Sequence, residues 1–285
     1  MTVKELLAGL RTALTPAVGD GEARAMAEII VEDTTGLSRT KIVVNPDYVL
    51  TPESVERIES VRDKVLAGEP VQYALGQAQF RGRTFAVEPG VLIPRPETAQ
   101  LVDIIIDEAD GRSDLRVLDV GCGSGCIACS LARDLRYARV TALDINATAV
   151  RVTRTNASAL GVKVDVLQAD VLDYRTSFPG SDDYDIVVSN PPYVLDSEKS
   201  GMDARVVDHE PQGALFVPDD DPLLFYRTIA KKAWTRLSHG GRIYFEINPL
   251  CASRLVALMF DIGYIDVEII RDYRGEQRFL TCTRR

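Results

Sequence analysis

Seven strand-like runs alternate with helical patterns between residues 116 and 283, and no other feature of this 285-residue chain restricts its fold as strongly. The runs lie at 116–120, 140–145, 164–168, 184–189, 242–247, 265–270 and 278–283. Each is short, apolar and rich in Val, Ile, Leu or Tyr, which suits strands buried on both faces. Helical spacing of apolar residues separates most of them, at 125–135, 147–160, 222–237 and 250–262. Strand–helix alternation predicts an α/β fold with a mostly parallel sheet covered by helices. The last two runs are joined only by Asp272-Tyr-Arg-Gly-Glu276. So short a link predicts an antiparallel hairpin at that edge.

The N-terminal quarter has a different texture. Apolar positions recur at helical spacing over 3–14 and 22–31, and Thr51-Pro52-Glu53 offers a hydroxyl cap followed by proline in the first turn. Val55, Ile58, Val61 and Val65 then form one stripe, and Gly68 ends it. Residues 1–72 are therefore expected to be a small helical domain, used either for packing or for partner recognition. Residues 73–96 shift to Gly, Phe, Val and Pro, with Arg81-Gly82-Arg83 as the turn of a hairpin-like linker. Residues 97–285 form the remaining α/β domain.

Within that domain, Asp119-Val-Gly-Cys-Gly-Ser-Gly125 follows the first strand and opens a helix. Gly121, Gly123 and Gly125 permit a tight turn and close approach of a ligand. Asp119 ends that strand, Asp144 ends the next, and Asp170 follows the third, with Val171 beside it. An acid at the second strand end can accept both ribose hydroxyls, and Asp170 can meet an adenine amino group. A carboxylate at Asp119 repels a pyrophosphate but not a cation. These acids fit S-adenosylmethionine better than NAD, with Asp119, Gly121, Cys122, Gly123, Gly125, Asp144, Asp170, Val171 and Asn190 as the expected cofactor-binding set.

The run ending at Ser189 is followed by Asn190-Pro191-Pro192-Tyr193. Neither proline can donate to a ladder, so the strand must stop and its carbonyls are freed. The Asn190 side-chain oxygen and the Pro191 carbonyl can each accept one N–H of a planar NH2 group, while Tyr193 can lie against its flat face. Such a site sits at the carboxyl end of a strand, where open α/β sheets bind ligands. Asn190, Pro191 and Tyr193 are the expected catalytic residues.

Other classes fit less well. Cys122-x3-Cys126-x2-Cys129 has the spacing of an iron–sulfur cluster, but Cys126 and Cys129 fall one turn apart inside an expected helix. Buried small hydrophobes are the simpler reading, and no metal site is expected. Five cysteines, an odd number, argue against a disulfide framework and for a reducing cytoplasm. No signal peptide or apolar stretch of membrane-spanning length is visible. A net charge of −9 argues against a stable nucleic-acid partner.

With the glycine loop and Asn190-Pro-Pro-Tyr193 in place, the chain resembles the class I methyltransferases that act on planar nitrogen, whose Rossmann-like sheet has seven strands. Nearly its full length closely resembles the release-factor glutamine N5-methyltransferases, the HemK or PrmC family. The marks are Leu92-Ile-Pro-Arg-Pro-Glu-Thr98, Asp119–Gly125, Ile186–Tyr193, Glu210-Pro211 with Ala214-Leu215, and Asp272-Tyr-Arg-Gly275. The resemblance implies a helical domain that recognises the release factor. The implied substrate is the glutamine of the Gly-Gly-Gln motif in peptide chain release factors. It adds Arg95, Glu97 and Pro192 to Asn190, Pro191 and Tyr193 on the substrate side. The chain departs from the family pattern at Ala99, at Cys122 and at Glu246-Ile-Asn248. A nucleic-acid amino methyltransferase, acting on adenine N6 or guanine N2, would use the same tetrapeptide with a flipped base on Tyr193.

Overall fold

The computed structural model describes residues 1–175, 177–180 and 183–285. In chain order the elements begin with α1 (Val3–Val18), α2 (Asp20–Thr35), α3 (Arg39–Val44), α4 (Pro52–Leu66) and α5 (Val71–Leu75). A hairpin follows, β1 (Gln77–Phe80) and β2 (Arg83–Ala86), then α6 (Pro96–Glu108) and β3 (Arg116–Val120). The alternation continues with α7 (Cys126–Asp134), β4 (Arg139–Asp144), α8 (Ala147–Leu160), β5 (Val164–Gln168) and β6 (Tyr184–Ser189). A short insertion holds β7 (Val194–Leu195), α9 (Ala204–His209), α10 (Gln212–Leu215) and β8 (Phe216–Val217). The chain closes with α11 (Leu224–Trp234), β9 (Leu237–Glu246), α12 (Ala252–Ile262), β10 (Ile265–Arg271) and β11 (Gln277–Thr283). Among the described residues, no helix is long and apolar enough to cross a membrane.

The seven expected strands assemble in one sheet of order β10-β11-β9-β6-β3-β4-β5. Five run parallel, from β9 through β5. β11 pairs antiparallel with both β9 and β10, closing the edge with the expected hairpin. Strand order reverses between β3 and β6, so the carboxyl ends of these two neighbours open a crevice, as the topology of doubly wound sheets requires. Side chains alternate across the sheet. In β3, Val117 packs with α6 and α7, whereas Leu118 and Val120 pack with α11 and α12.

The chain divides into two compact units, and their borders differ from the expected ones. The helical unit comprises Met1–Gln77 together with Ala204–His209, so α9 belongs to it although 126 residues of the α/β unit intervene in sequence. Inside that unit Arg205 of α9 is ion-paired with Glu22 of α2. The β1–β2 turn and the segment after it belong to the α/β unit instead of forming a free linker. Local signals set the helical unit's elements. Thr2 and Glu5 form a capping box on α1, and Thr51 caps α4, whose first residue is Pro52. Leu10, Leu14, Ile30, Ile58 and Val61 fill its core.

Gly125 shows how closely the α/β unit is fitted. Its φ is +77°, and an added Cβ would stand 2.7 Å from Thr153 Cγ2 of α8. Gly125→Ala therefore combines left-handed strain with a clash against a buried wall. It should lower stability by roughly 2 kcal/mol or more, read as a drop in melting temperature. An unchanged melting temperature would show that the α7–α8 contact yields freely.

Candidate functional site

The site is built from the carboxyl ends of the central strands. After β3 the chain turns through Gly121 and Gly123, and Gly121 N and Cys122 N both donate to Leu143 O of β4. Asp144, at the end of β4, uses its two oxygens differently: Oδ2 accepts from Gly123 N at 2.9 Å and Oδ1 from Asn146 N at 2.8 Å. The carboxylate thereby ties the glycine loop to the start of α8, and its remaining lone pairs stay available to a ligand. Asp170 is arranged alike, its Oδ1 accepting from Leu172 N at 2.8 Å.

These segments, with 90–98 and 211–214, enclose a cavity of about 440 Å³. Its wall includes Gly121, Cys122, Gly123, Asp144, Asp170 and Val171. Asn190, Pro191, Pro192, Arg95 and Thr98 complete it. The lining is mostly apolar with a few convergent polar groups, the usual composition of a small-molecule site. The widely separated 93–95 and 210 segments are joined by one buried carboxylate. Glu210 accepts from Arg95 Nη2 at 2.7 Å and from Ile93 N at 3.2 Å.

Asn190 follows β6 directly. Its Nδ2 lies 3.2 Å from Thr98 Oγ1 in the first turn of α6. Its Oδ1 and the Pro191 carbonyl accept no hydrogen bond from the described residues. Two acceptors without partners on a cavity wall are a place for a donor from a ligand. Behind them, Thr98 donates to Glu246 Oε2 at 2.7 Å, and the Tyr193 hydroxyl donates to Glu246 Oε1 at 3.0 Å. Asn248 reinforces the same corner by donating to the Tyr193 carbonyl at 3.1 Å and to Glu198 at 2.8 Å.

Comparisons with known proteins bear on family and fold. Residues 5–76 match the PrmC N-terminal domain and residues 98–210 the methyltransferase small domain. A release factor glutamine methyltransferase of Bacteroides thetaiotaomicron is 41% identical over 283 residues, spanning 99% of this chain and all of the relative. The chain belongs to the release factor glutamine methyltransferase family. A second member, from Flavobacterium psychrophilum, is 36% identical over 98% of both chains. Among solved structures, a Pyrococcus furiosus methyltransferase aligns with a TM-score of 0.52 at 16% identity, covering 78% of this chain and 97% of its own. A T. thermophilus 16S rRNA N2 methyltransferase in complex with AdoMet and guanosine aligns at 0.53 and 21%, covering 73% of this chain and 50% of its own. At such identities the likeness is one of fold, that of the class I methyltransferases. S-adenosylmethionine is the cofactor of this family member.

Four residues expected at the glutamine methyltransferase site stand off the cavity wall. Asp119 is fully buried, on the α7 face of β3, where its Oδ2 accepts from Ala128 N at 3.0 Å. It braces the start of α7 under the glycine loop and is not among the residues of the cavity wall. Tyr193 is not among the residues of the cavity wall: its phenol is tied to Glu246, and its side chain packs against the core that includes residues of α11 and α12. The expected stacking face is therefore not presented. Glu97 accepts from the Tyr273 hydroxyl at 3.0 Å, holding the β10–β11 turn against α6. Gly125, expected in the cofactor set, also lies off the wall, at the cap of α7.

The cysteines fall into place as packing. Cys122 and Cys126 reach the wall while Cys129 is fully buried in the core under α7. Burial pushes the thiols of Cys126 and Cys129 up to about 12 and raises that of Cys122 well above its ordinary value, so all three stay protonated at neutral pH. Among the described residues, no group of three or more His, Cys, Asp or Glu is placed to hold a metal ion. Reasoning from sequence missed Thr98, Glu210 and Glu246 as parts of the site. The family marks contained Thr98 and Glu210, and Glu246 stood among the departures, but nothing in the spacing showed that Thr98 meets Glu246 or that Glu210 meets Arg95.

Burial raises the Asp119 carboxyl from 3.8 to about 7, the Ala128 N–H opposing and the nearby Asp144 charge assisting the shift. Because the folded state holds this proton more tightly than the unfolded chain, Asp119 lowers stability as pH rises from about 4 to about 7. Asp119→Asn keeps an acceptor for Ala128 and has no such titration. Its melting temperature minus that of the wild type, without added cofactor, should grow across this pH window. Parallel pH profiles would mean that Asp119 ionises in the fold without penalty.

Proposed function

We propose that this chain transfers a methyl group from S-adenosylmethionine to the side-chain amide nitrogen (N5) of a glutamine, in the Gly-Gly-Gln motif of peptide chain release factors. The observation that carries the reading is the pair of unpartnered acceptors, Asn190 Oδ1 and the Pro191 carbonyl, side by side on the cavity wall. The cavity residues suit the cofactor: Asp144 for the ribose hydroxyls, Asp170 for the adenine amino group, Gly121 and Gly123 for close backbone approach. When bound, S-adenosylmethionine supplies an electrophilic methyl on a sulfonium centre.

The protein's own contribution is to the nucleophile. An amide nitrogen is unreactive because its lone pair is delocalised into the carbonyl. Two acceptors on its hydrogens return density to nitrogen and favour a pyramidal geometry as the new bond forms. Fixing the amide beside the methyl supplies on the order of 7–11 kcal/mol of what would otherwise be lost in orientation. No strong base is needed, since the alkylated nitrogen is acidic and its proton can leave to water after transfer. Pro192 stiffens the segment that carries both acceptors, and Arg95, held by Glu210, flanks the opening. The release factor is the partner in this reading, the compartment is the cytoplasm where translation proceeds, and no stable nucleic-acid partner is involved.

Transfer of labelled methyl to a purified release factor tests the reading, with DNA and ribosomal RNA alongside. Label should appear on the release factor and vanish when the Gly-Gly-Gln glutamine is replaced. Label on nucleic acid alone would move the substrate to a base amino group. Asn190→Ala should lower kcat on the order of 10²–10³-fold while cofactor affinity changes little. A variant with near wild-type turnover would remove Asn190 from the reaction.

A further inference from the structure

A side-chain amide has two ends of nearly equal shape, and only one of them can accept a hydrogen bond. If Asn190 is to accept from a substrate NH2, its oxygen must face the cavity, and a flip of the side chain would present two donors instead. Something must set that choice. Thr98 Oγ1 stands 3.2 Å from Asn190 Nδ2 and 2.7 Å from Glu246 Oε2. Thr98 and Glu246 are 2% and 1% exposed. They join α6 to the end of β9 across 148 residues of sequence.

The direction of each bond follows from counting hydrogens. A hydroxyl carries a single hydrogen, whereas an ionised carboxylate carries none and can only accept. Two hydroxyls converge on Glu246, from Thr98 and Tyr193. Each Glu246 oxygen meets one of these hydroxyls, the arrangement that suits an acceptor-only carboxylate. Burial raises its pKa, and the two donors and the Arg278 charge oppose that rise. Thr98 thus gives its hydrogen to Glu246 and turns only lone pairs toward Asn190. Asn190 can meet those lone pairs only with Nδ2, which leaves Oδ1 facing the cavity. We propose that Glu246 and Thr98 are positioning residues that act as a relay, fixing the polarity of the Asn190 amide so that its oxygen faces the substrate nitrogen. This rests on the reading of Asn190 as the substrate acceptor.

The relay makes demands that simple packing does not. Glu246→Gln keeps size and shape but introduces an NH2 group. That group can donate to Thr98, release the hydroxyl hydrogen toward Asn190 and so favour the flipped amide. Thr98→Val removes the hydroxyl at constant shape and frees the amide to turn, whereas Thr98→Ser retains the hydroxyl.

The test measures kcat on a purified release factor, cofactor Kd and melting temperature for Thr98→Val, Thr98→Ser, Glu246→Gln, the double variant Thr98→Val/Glu246→Gln, and Asn190→Ala. Thr98→Val and Glu246→Gln should each lower kcat about 10²-fold with cofactor Kd within about threefold, as expected when a reacting group is misplaced and the cofactor site is intact. Thr98→Ser should recover activity to within about tenfold of wild type. The double variant should be no slower than the slower single, because both changes break one relay. Full turnover by Thr98→Val, no recovery by Thr98→Ser, or multiplicative losses in the double variant would each overturn the proposal. If Thr98→Val does not fold, Thr98→Ala against Thr98→Ser makes the same comparison. If every variant lacking the hydroxyl unfolds, Thr98 belongs to the fold and the relay is refuted. An active Asn190→Ala would refute the acceptor reading itself; an inactive one beside an active Thr98→Val would refute the relay alone.

Discussion

The abrupt stop of β6 is the constraint on which the rest of the site depends. β6 lies between β3 and β9, with helices covering both faces of the sheet, so its backbone groups are committed to its neighbours as far as Ser189. Pro191 and Pro192 cannot extend that commitment, because neither has an N–H to give. One residue beyond the ladder, the chain therefore carries a free carbonyl and an amide side chain next to a solvent-reaching cavity. The flanking strands end in kind: β3 in Asp119 and Val120 before the glycine loop, β9 in Glu246. Three adjacent strand ends thus contribute an acid, an amide and an acid.

Those two acids are buried and serve different ends. Asp119 faces α7 and orders the helix that follows the glycine loop. Glu246 gathers hydroxyls from α6 and from the segment after β6. Burying a carboxylate is unfavourable unless hydrogen bonds satisfy it. Glu246 has two such bonds, one on each oxygen, whereas one oxygen of Asp119 has no partner. The poorer satisfaction of Asp119 agrees with its strongly raised pKa, and it marks the glycine-loop side as the more strained part of the site.

Much of this was legible in the sequence. Apolar runs and turn residues located all seven strands, and the short Asp272–Glu276 link set the antiparallel edge. Pairing within a buried parallel sheet hides something else, however. Both faces of β3 are apolar, so the pattern does not tell which face Asp119 joins. That is why the pattern did not show that Asp119 faces α7, where it accepts from Ala128 N. Tyr193 escaped for a related reason: after two prolines, no periodicity says where a side chain points. Thr98 and Glu246 were unreadable as a pair, since their contact closes a loop of 148 residues and leaves no local spacing. The assignment of α9 to the helical unit is likewise a long-range fact, carried inside that unit by the Arg205–Glu22 ion pair.

The charges on the cavity wall bear on which ligand the site prefers. Asp144 and Asp170 both line it, and Arg95, its one lining guanidinium, is already paired with Glu210. The local field is therefore negative, and burial has already raised the Asp144 carboxyl above its ordinary value. A cation in such a place relieves the penalty of keeping a carboxylate ionised, and a neutral molecule of the same shape does not. Transfer of a methyl from a sulfonium turns the one kind of ligand into the other. In the proposed binding mode, Asp144 and Asp170 would also weight binding toward the charged donor over the neutral thioether left after transfer. The proposed amide relay is free of that role, because its carboxylate is enclosed by hydroxyls and lies behind Thr98. In the proposed reading two uses of buried charge are separate: one set would favour the charged cofactor, and the other would set the polarity of a single asparagine.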